Sequence, residues 1–225
     1  SSAARMKGKL KRRWPLNEAQ ICVKKNQKVK LESLSDLLKS QLNVEKFNIV
    51  ETEKDSGLEQ LLELKELGLP VKATLELERK KIGPKAKQHM GKLVSTFLET
   101  NPDEIIPILQ KDGKYDFNID DQKISLDKED FIVNFDADDN FAVAKRDDFI
   151  VFISTLRNKE MMAKGLVKDV ARRLQTLRKE RGYNPTDVLE VASILELDDE
   201  SLEMIKGRDE ELAFLVRVKK VNFEK

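Results

Sequence analysis

The sequence predicts an α+β fold with mainly antiparallel sheets and packed helices, one of them a long basic amphipathic helix. The stretch at 72–78 alternates apolar and polar residues, which indicates a half-buried strand. Two strand-like segments, 115–119 and 122–126, are separated only by Asp120 and Asp121, the length of a hairpin turn. Helical leucine patterns lie between such strands, and this mixture is typical of an α+β protein.

In the first third of the chain, we expect a strand at 20–24, a helix at 31–42, a strand at 47–51, a helix at 58–67 and a strand at 72–78. Leu34, Leu37, Leu38 and Leu42 have helical spacing, so the first of these helices is amphipathic. Asn43 is a suitable stop for it. Gly68 ends the second helix, because glycine commonly follows the last helical residue.

In the middle of the chain, Ile82-Gly83-Pro84 is predicted to be a turn that opens a helix near Pro84, and Pro102 to start a shorter helix ending near Lys111. Five strands should follow, at 115–119, 122–126, 131–135, 141–144 and 149–154. The last is apolar on both faces, which favours a central place in its sheet. The acidic segment 136–139 is expected to be an exposed loop.

The last quarter should contain a long helix at 159–182, a strand at 188–194, a largely helical stretch at 198–216 and a strand at 218–223 that could add to a sheet edge. Asn158 is a good N-cap for the long helix, and Glu160 suits the positive end of its dipole. Gly182 should end it.

Three segments are predicted from these boundaries. Residues 1–16 form the basic end of a preceding helix and a linker, because Pro15 disfavours helix at Trp14. Residues 17–82 form a first α/β subdomain and residues 83–225 a second α+β subdomain, unless 17–225 is one continuous domain.

The composition favours a cytoplasmic protein without membrane contact. The 225 residues contain 42 basic and 41 acidic side chains, and one cysteine suits a reducing compartment. No apolar run approaches the roughly 20 residues of a membrane helix. His89 is the only histidine, so the usual zinc ligand sets cannot be assembled, and no glycine-rich phosphate-binding motif is present. We therefore expect no catalytic residue, metal or cofactor here, although a Cys22–His89 nucleophile pair is arithmetically possible.

The long helix carries the strongest binding candidates. Five polar side chains fall in one narrow sector of the helix, and we call them the basic face: Lys164, Lys168, Arg172, Gln175 and Lys179. Cations at this spacing repel one another, and a polyanion would relieve that cost. The alternatives are RNA contact and an ordinary solvated face. Gly165 is expected to mark a close packing contact.

Weaker candidates lie elsewhere. Lys85 stands beside the Ile82-Gly83-Pro84 turn, where the start of a helix could bind a phosphate. Arg12 and Arg13 flank Trp14, whose ring could stack on a base or anchor the linker to the domain beneath it.

Three stretches resemble the C-terminal region of isoleucyl-tRNA synthetases of the archaeal and eukaryotic type. They are LKRRWPLNEAQICV at 10–23, KKIGPKAKQHMGKLV at 80–94, and the long stretch 141–183, which includes Ala163-Lys164-Gly165 and Arg172-Arg173-Leu174-Gln175-Thr176-Leu177-Arg178-Lys179. The third stretch is long and specific. Residues 52–70 match the family pattern poorly.

The resemblance implies a place just after the anticodon-binding helices of an enzyme that ligates isoleucine to its tRNA with ATP. Its partners would then be tRNA(Ile) and the remainder of the synthetase chain, and the ATP would belong to the parent enzyme. The resemblance also implies a non-catalytic fragment, since the family's catalytic signatures are absent from these residues. Two rivals remain: a structural module that packs on the parent without RNA contact, and a free-standing enzyme on an α+β scaffold.

Overall fold

The computed structural model describes residues 2–11, 14–146 and 149–223. The strands are β1 (Leu16–Val23), β2 (Val44–Glu51), β3 (Val71–Leu77), β4 (Lys114–Ile119), β5 (Gln122–Asp127), β6 (Phe131–Ala137), β7 (Phe141–Arg146), β8 (Phe149–Ser154), β9 (Leu189–Ile194) and β10 (Val218–Phe223). The helices are α1 (Ser2–Lys7), α2 (Lys25–Glu32), α3 (Ser35–Leu42), α4 (Gly57–Glu66), α5 (Arg79–Ala86), α6 (Met90–Glu99), α7 (Pro102–Asp112), α8 (Lys159–Glu180), α9 (Asp199–Ile205) and α10 (Asp209–Val216).

The predicted fold class is confirmed. A four-stranded sheet has the order β2-β1-β8-β7, with the doubly apolar β8 in an interior position as predicted. β3 pairs antiparallel with β6 and β4 with β5, while β9 and β10 pair in parallel. Parallel pairing requires a long connection, and α9 with α10 supplies it.

The chain divides into two compact units, each discontinuous in sequence. The first comprises residues 1–20, 32–48 and 153–225, and the second comprises residues 21–31 and 49–152. The division into subdomains 17–82 and 83–225 predicted from the sequence stays a prediction.

The second unit is built around one large apolar cluster. Leu61 and Leu64 of α4, Leu93 of α6, Ile105 of α7 and Phe152 of β8 are all fully buried in it. The β3 strand presents alternate residues to this cluster, as its period of two predicted. The β4–β5 hairpin turns at Asp120, which takes a positive φ of 54°.

The first unit has its own apolar cluster, centred on α8. Val167 and Ala171 of α8 pack with Ile205, Leu212 and Val216 from α9 and α10. Strand β10 adds the buried Val218 and Val221 to the same cluster, and β9 adds half-buried residues. The cluster therefore buries only one side of α8, and the opposite side is available for other contacts.

Several predicted boundaries agree with local chemistry. Asn43 follows α3 in the left-handed conformation with φ 52°. Asn158 caps α8, and its side-chain oxygen accepts a hydrogen bond of 2.7 Å from the Met161 N–H. Gly182, with φ 78°, follows the end of the same helix. Helix α7 starts at Pro102, and the preceding residue, Asn101, is its N-cap.

Three local predictions were wrong. Pro84 lies inside α5, because burial of Ile82 and Ala86 in the core favours a helix that starts five residues earlier, at Arg79. The acidic segment 136–139 is not wholly a loop, since β6 runs to Ala137 and Asp136 pairs in register with Lys72. The predicted helix 31–42 is interrupted between α2 and α3, and neither of these helices has a buried residue.

None of the helices within the described residues combines the length and apolar character that crossing a membrane requires.

Truncation of Leu64 to Ala tests the core of the second unit. Leu64 is fully buried, so we expect the free energy of unfolding to fall by about 2–5 kcal/mol through lost burial and the cavity left behind. The control is Leu98→Ala, because Leu98 is 76% exposed and its loss should change stability by less than about 0.5 kcal/mol. Urea denaturation measures both, and equal effects would contradict the assigned core.

Candidate functional site

Helix α8 organises the candidate site, because it is the longest helix in the described part of the chain, with 22 residues. Its fully buried residues are Met161, Ala163, Gly165, Val167 and Ala171. Leu166, Val170 and Leu174 pack against the core while half buried, but Leu177 is 52% exposed.

Gly165 allows the indole ring of Trp14 to pack directly on the α8 backbone. A Cβ atom at position 165 would lie 2.5 Å from Trp14 Cδ2 and 2.8 Å from Trp14 Cγ, closer than real Cβ atoms approach. Trp14 Nε1 donates a hydrogen bond of 2.9 Å to Asp169 Oδ2, one helical turn further along. The expected packing role of Gly165 and the anchoring role of Trp14 both follow from this geometry.

The Trp14 ring is also flanked by cations. Lys11 Nζ lies 4.8 Å from the ring centroid and 3.5 Å from Asp169 Oδ2, and the Arg157 guanidinium lies 5.4 Å from the ring. Arg5, only 4% exposed, donates hydrogen bonds to the carbonyl oxygens of Lys11 and Trp14. These contacts fix the ring in place, so it is not free to stack on a base without rearrangement.

The basic face does not carry unopposed charge along its whole length. Lys164 Nζ lies 2.9 Å from Glu160 Oε1 and 3.5 Å from Glu45 Oε1. The hydrogen bond with Glu160 is the main cause that raises the pKa of Lys164, and the same bond lowers the pKa of Glu160. The mutual repulsion expected along this row of cations is therefore relieved at Lys164 by two carboxylates.

Two more members of the basic face contact neighbouring polar groups. Lys168 Nζ donates a hydrogen bond of 3.2 Å to Asn43 Oδ1, and Gln175 Nε2 donates one of 2.8 Å to the Leu215 carbonyl. The Gln175 amide therefore satisfies a carbonyl at the end of α10, where helices leave such groups unpaired.

Lys168, Arg172 and Lys179 are the exposed cations of this face. Within residues 2–11, 14–146 and 149–223, the last two have no side-chain partner, in a hydrogen bond or an ion pair. These two lie seven residues apart, which corresponds to about 10.5 Å along the helix axis. Their charges are available to an anionic partner.

Arg178 has a structural role that the sequence did not reveal. Its guanidinium donates hydrogen bonds to four carbonyls, those of Val216, Arg217 at 3.0 Å, Asn184 at 3.4 Å and Asp187 at 2.6 Å. The contact with Asp187 is to its backbone carbonyl and not to its carboxylate. Arg178 thus joins α8 to the turn after it and to the α10–β10 junction.

The other predicted contact residues do not belong to α8. Lys85 Nζ lies 2.7 Å from Asp127 Oδ2 and 2.5 Å from Asp130 Oδ2 in the second unit, and these hydrogen bonds raise its pKa. The predicted phosphate site there lacks its helix start, because α5 begins before Pro84. Arg12 and Arg13 lie outside the described residues.

The candidate nucleophile is poorly suited to catalysis. Cys22 is buried, and desolvation with the nearby Glu63 carboxylate raises the pKa of its thiol to about 12. At neutral pH the thiol is therefore protonated, whereas the reactive form is the thiolate. In the described part of the chain, no group of three or more His, Cys, Asp or Glu side chains is placed to hold a metal ion.

Curated isoleucine–tRNA ligases from archaea and bacteria align with almost all of the chain. The ligase of Pyrococcus abyssi is 26% identical over 226 residues, which cover 100% of this chain and 19% of that protein. The ligase of Sulfolobus acidocaldarius is 24% identical over 219 residues, covering 97% and 19%. That of Bacteroides thetaiotaomicron is 26% identical over 190 residues, covering 84% and 15%.

No family model matches the chain. The chain spans about 19% of the length of the curated relatives it matches over its full extent. The resemblance to isoleucyl-tRNA synthetases seen in the sequence motifs is confirmed, and a match of this size is consistent with a C-terminal region.

Substitution of Gly165 by Ala tests the contact that positions α8. The added Cβ should displace the Trp14 ring and lower the free energy of unfolding by about 1–3 kcal/mol through overpacking. The chain has one tryptophan, so fluorescence reports Trp14 directly, and its emission should shift to the red and become more accessible to acrylamide.

Gly91→Ala is the matched control, because nothing lies within 4 Å of a Cβ at that position of α6. This control should leave the fluorescence unchanged and should not destabilise the protein, since alanine is the better helix former. Identical spectra for the Gly165 variant and the wild type would refute the close contact.

Proposed function

We propose that this chain is the C-terminal, tRNA-binding part of an isoleucyl-tRNA synthetase and that it contacts the anticodon end of tRNA(Ile). The alignment of almost the whole chain with isoleucine–tRNA ligases carries the proposal, because it matches a segment about a fifth of their length. The exposed cations of α8 supply the chemistry that tRNA contact requires.

The contact is electrostatic and directed at phosphates. Arg172 and Lys179 are exposed and unopposed among the described residues, so each can approach a phosphate without first breaking an ion pair. Contacts of this kind position a nucleic acid without reading its sequence. The binding energy comes largely from release of counterions, which makes the affinity depend steeply on salt.

Lys168 and Lys164 contribute less directly. Lys168 can exchange its hydrogen bond with Asn43 for a phosphate oxygen, whereas Lys164 must leave two carboxylates. Gln175 retains a free side-chain oxygen but uses its amide nitrogen internally. Contributions of Lys85, Arg12 and Arg13 to tRNA binding stay predictions. Lys85 would first have to leave its ion pairs with Asp127 and Asp130.

The affinity of the isolated chain for tRNA should be modest. Its formal net charge is only +1, so attraction at long range is small. In the parent enzyme, the other tRNA-binding surfaces raise the effective concentration of the anticodon arm near α8 and compensate for this weakness.

We also propose that the chain has no catalytic role of its own and works in the cytoplasm. The chemistry, with ATP as cofactor, then belongs to the remainder of the synthetase. The protonated, buried Cys22 supports this assignment, because it removes the one nucleophile suggested by the sequence.

A structural module is the second candidate, and helix α3 supports it. Leu34 and Leu37 are 47% and 56% exposed, and α3 has no buried residue. Such an apolar surface fits packing against the remainder of the synthetase, without RNA contact, better than it fits solvent.

The double substitution Arg172→Glu and Lys179→Glu tests tRNA contact. We expect binding of a tRNA(Ile) transcript at low salt to weaken at least tenfold, because two phosphate contacts become repulsive. The slope of log K against log salt should also become shallower by about 1–2, since each phosphate contact contributes roughly 0.7–0.9. Fluorescence anisotropy over a range of salt concentrations measures both quantities.

Lys111→Glu with Lys206→Glu is the charge-matched control, because both lysines are exposed and neither belongs to α8 or to the basic face. This control should bind nearly as well as the wild type. Equal losses in the two double variants would show a non-specific charge effect. Absence of tRNA binding by the wild type at low salt would favour the structural module.

The non-catalytic assignment predicts that the chain alone gives no isoleucine-dependent exchange of pyrophosphate into ATP. It should also leave isoleucyl-tRNA(Ile) unhydrolysed. A rate above that of a heat-denatured sample in either assay, retained after further purification, would contradict the assignment.

A further inference from the structure

We propose that a groove beside the C-terminal half of α8 accepts one unstacked nucleotide of single-stranded RNA. In this site the ring of Tyr183 stacks on the base, and Lys179 and Arg217 hold the adjoining phosphate. The inference rests on the proposed tRNA-binding function and deepens it, because it adds a pocket for a base to the phosphate contacts of the basic face.

The groove has the size and the construction of a ligand site. It is a concavity of about 580 Å³ between α8, the turn after it and the α10–β10 junction. Pockets of roughly 300–1,000 Å³ commonly bind small molecules. Lys179, Tyr183, Pro185 and Arg217 are among its lining residues.

The charge of the groove selects an anion. Three of its lining residues are cations, Arg178, Lys179 and Arg217, and no carboxylate lines it among the residues that the structure describes. The Arg178 guanidinium donates its hydrogen bonds to four backbone carbonyls. In the described ranges the side chains of Lys179 and Arg217 make no ion pair or hydrogen bond, so their charges face the groove region uncompensated.

Tyr183 supplies the surface for a base. Tyr183 is 46% exposed, and backbone hydrogen bonds hold the turn that carries it. It also lines a neighbouring apolar hollow of about 210 Å³, together with Leu174 and Leu177. A half-exposed aromatic ring beside free cations is the combination that single-stranded nucleic acids use, since bases stack on the ring while cations follow the backbone.

The walls of the groove are held in advance of binding. Arg178 bonds to Asn184 and Asp187 on one side and to Val216 and Arg217 on the other. Within the turn, the Asn184 N–H donates a hydrogen bond of 2.7 Å to Asp187 Oδ2. Arg178 is therefore a positioning residue, and a ligand that enters the groove need not order its walls.

A single-stranded segment suits this groove better than a duplex does. Base faces in a duplex are covered by their neighbours, whereas bases in loops are splayed out and can stack on aromatic side chains. An acidic peptide would satisfy the two cations but has no base to stack on the ring, and this difference separates the two ligands in the test.

The chain contains two tyrosines, which permits a direct test. With ring-13C-labelled tyrosine, NMR gives signals from Tyr183 and from Tyr115, which packs on Phe117 in the second unit with ring centroids 4.8 Å apart. The probe is a single-stranded RNA hexamer of mixed sequence. We expect the Tyr183 ring signal to shift on titration and the Tyr115 signal to stay in place.

Variants then assign the interaction. Tyr183→Ala should weaken hexamer binding about fivefold or more, the loss expected for one stacked base, whereas Tyr183→Phe should bind like the wild type. Lys179→Gln and Arg217→Gln should each weaken binding, while Arg173→Gln, an exposed cation of α8 outside the groove, should not. Unchanged fluorescence of Trp14, in the same unit as the groove, together with an unchanged Tyr115 signal from the second unit, shows that each variant is folded.

Three outcomes would overturn the proposal that the groove binds a nucleotide. The first is an unshifted Tyr183 signal, and the second is equal binding by the Ala and Phe variants. The third is displacement of the hexamer by an acidic peptide of equal charge at the same concentration. If tRNA still binds in a salt-dependent manner in any of these cases, the proposed function stands without the groove. If neither tRNA nor hexamer binds at low salt, both fail.

Discussion

The close approach of Trp14 to Gly165 is the constraint on which the first unit depends. Only a residue without a Cβ lets the indole ring lie on the α8 backbone, and the Trp14 N–H bond to Asp169 fixes the orientation of the ring. Arg5 then holds the carbonyls of the same segment. The result is a helix attached to its surroundings along its first half, which leaves its second half to be positioned by Gln175 and Arg178.

The two halves of α8 differ in how far their cations are paired with carboxylates. Lys164 lies in the anchored half and is neutralised by Glu160 and Glu45. Toward the C-terminal end, Arg172 and Lys179 remain exposed. Because a free cation can approach a phosphate without losing a partner, the second half of the helix is better suited to RNA than the first. Cations that belong to one row of the helix therefore differ in their capacity to bind a phosphate.

Much of the fold could be predicted from local chemistry. The alternation in β3, the caps at Asn158 and Asn43 and the Asp120 hairpin depend on neighbouring residues and were correct. The start of α5 was wrong because burial of Ile82 outweighs the helix-opening tendency of Pro84. In the candidate site, helical spacing placed Lys164 beside the other cations but could not show Glu45, which comes from β2.

Local patterns were enough to predict the fold class, the long basic helix and the resemblance to isoleucyl-tRNA synthetases, because periodicity, caps and motifs are properties of contiguous residues. Three-dimensional packing was needed to show that Lys164 pairs with Glu45, that Trp14 is an anchor, and that Arg178 binds four carbonyls around a groove. These outcomes depend on residues distant in sequence, whose packing no local pattern records.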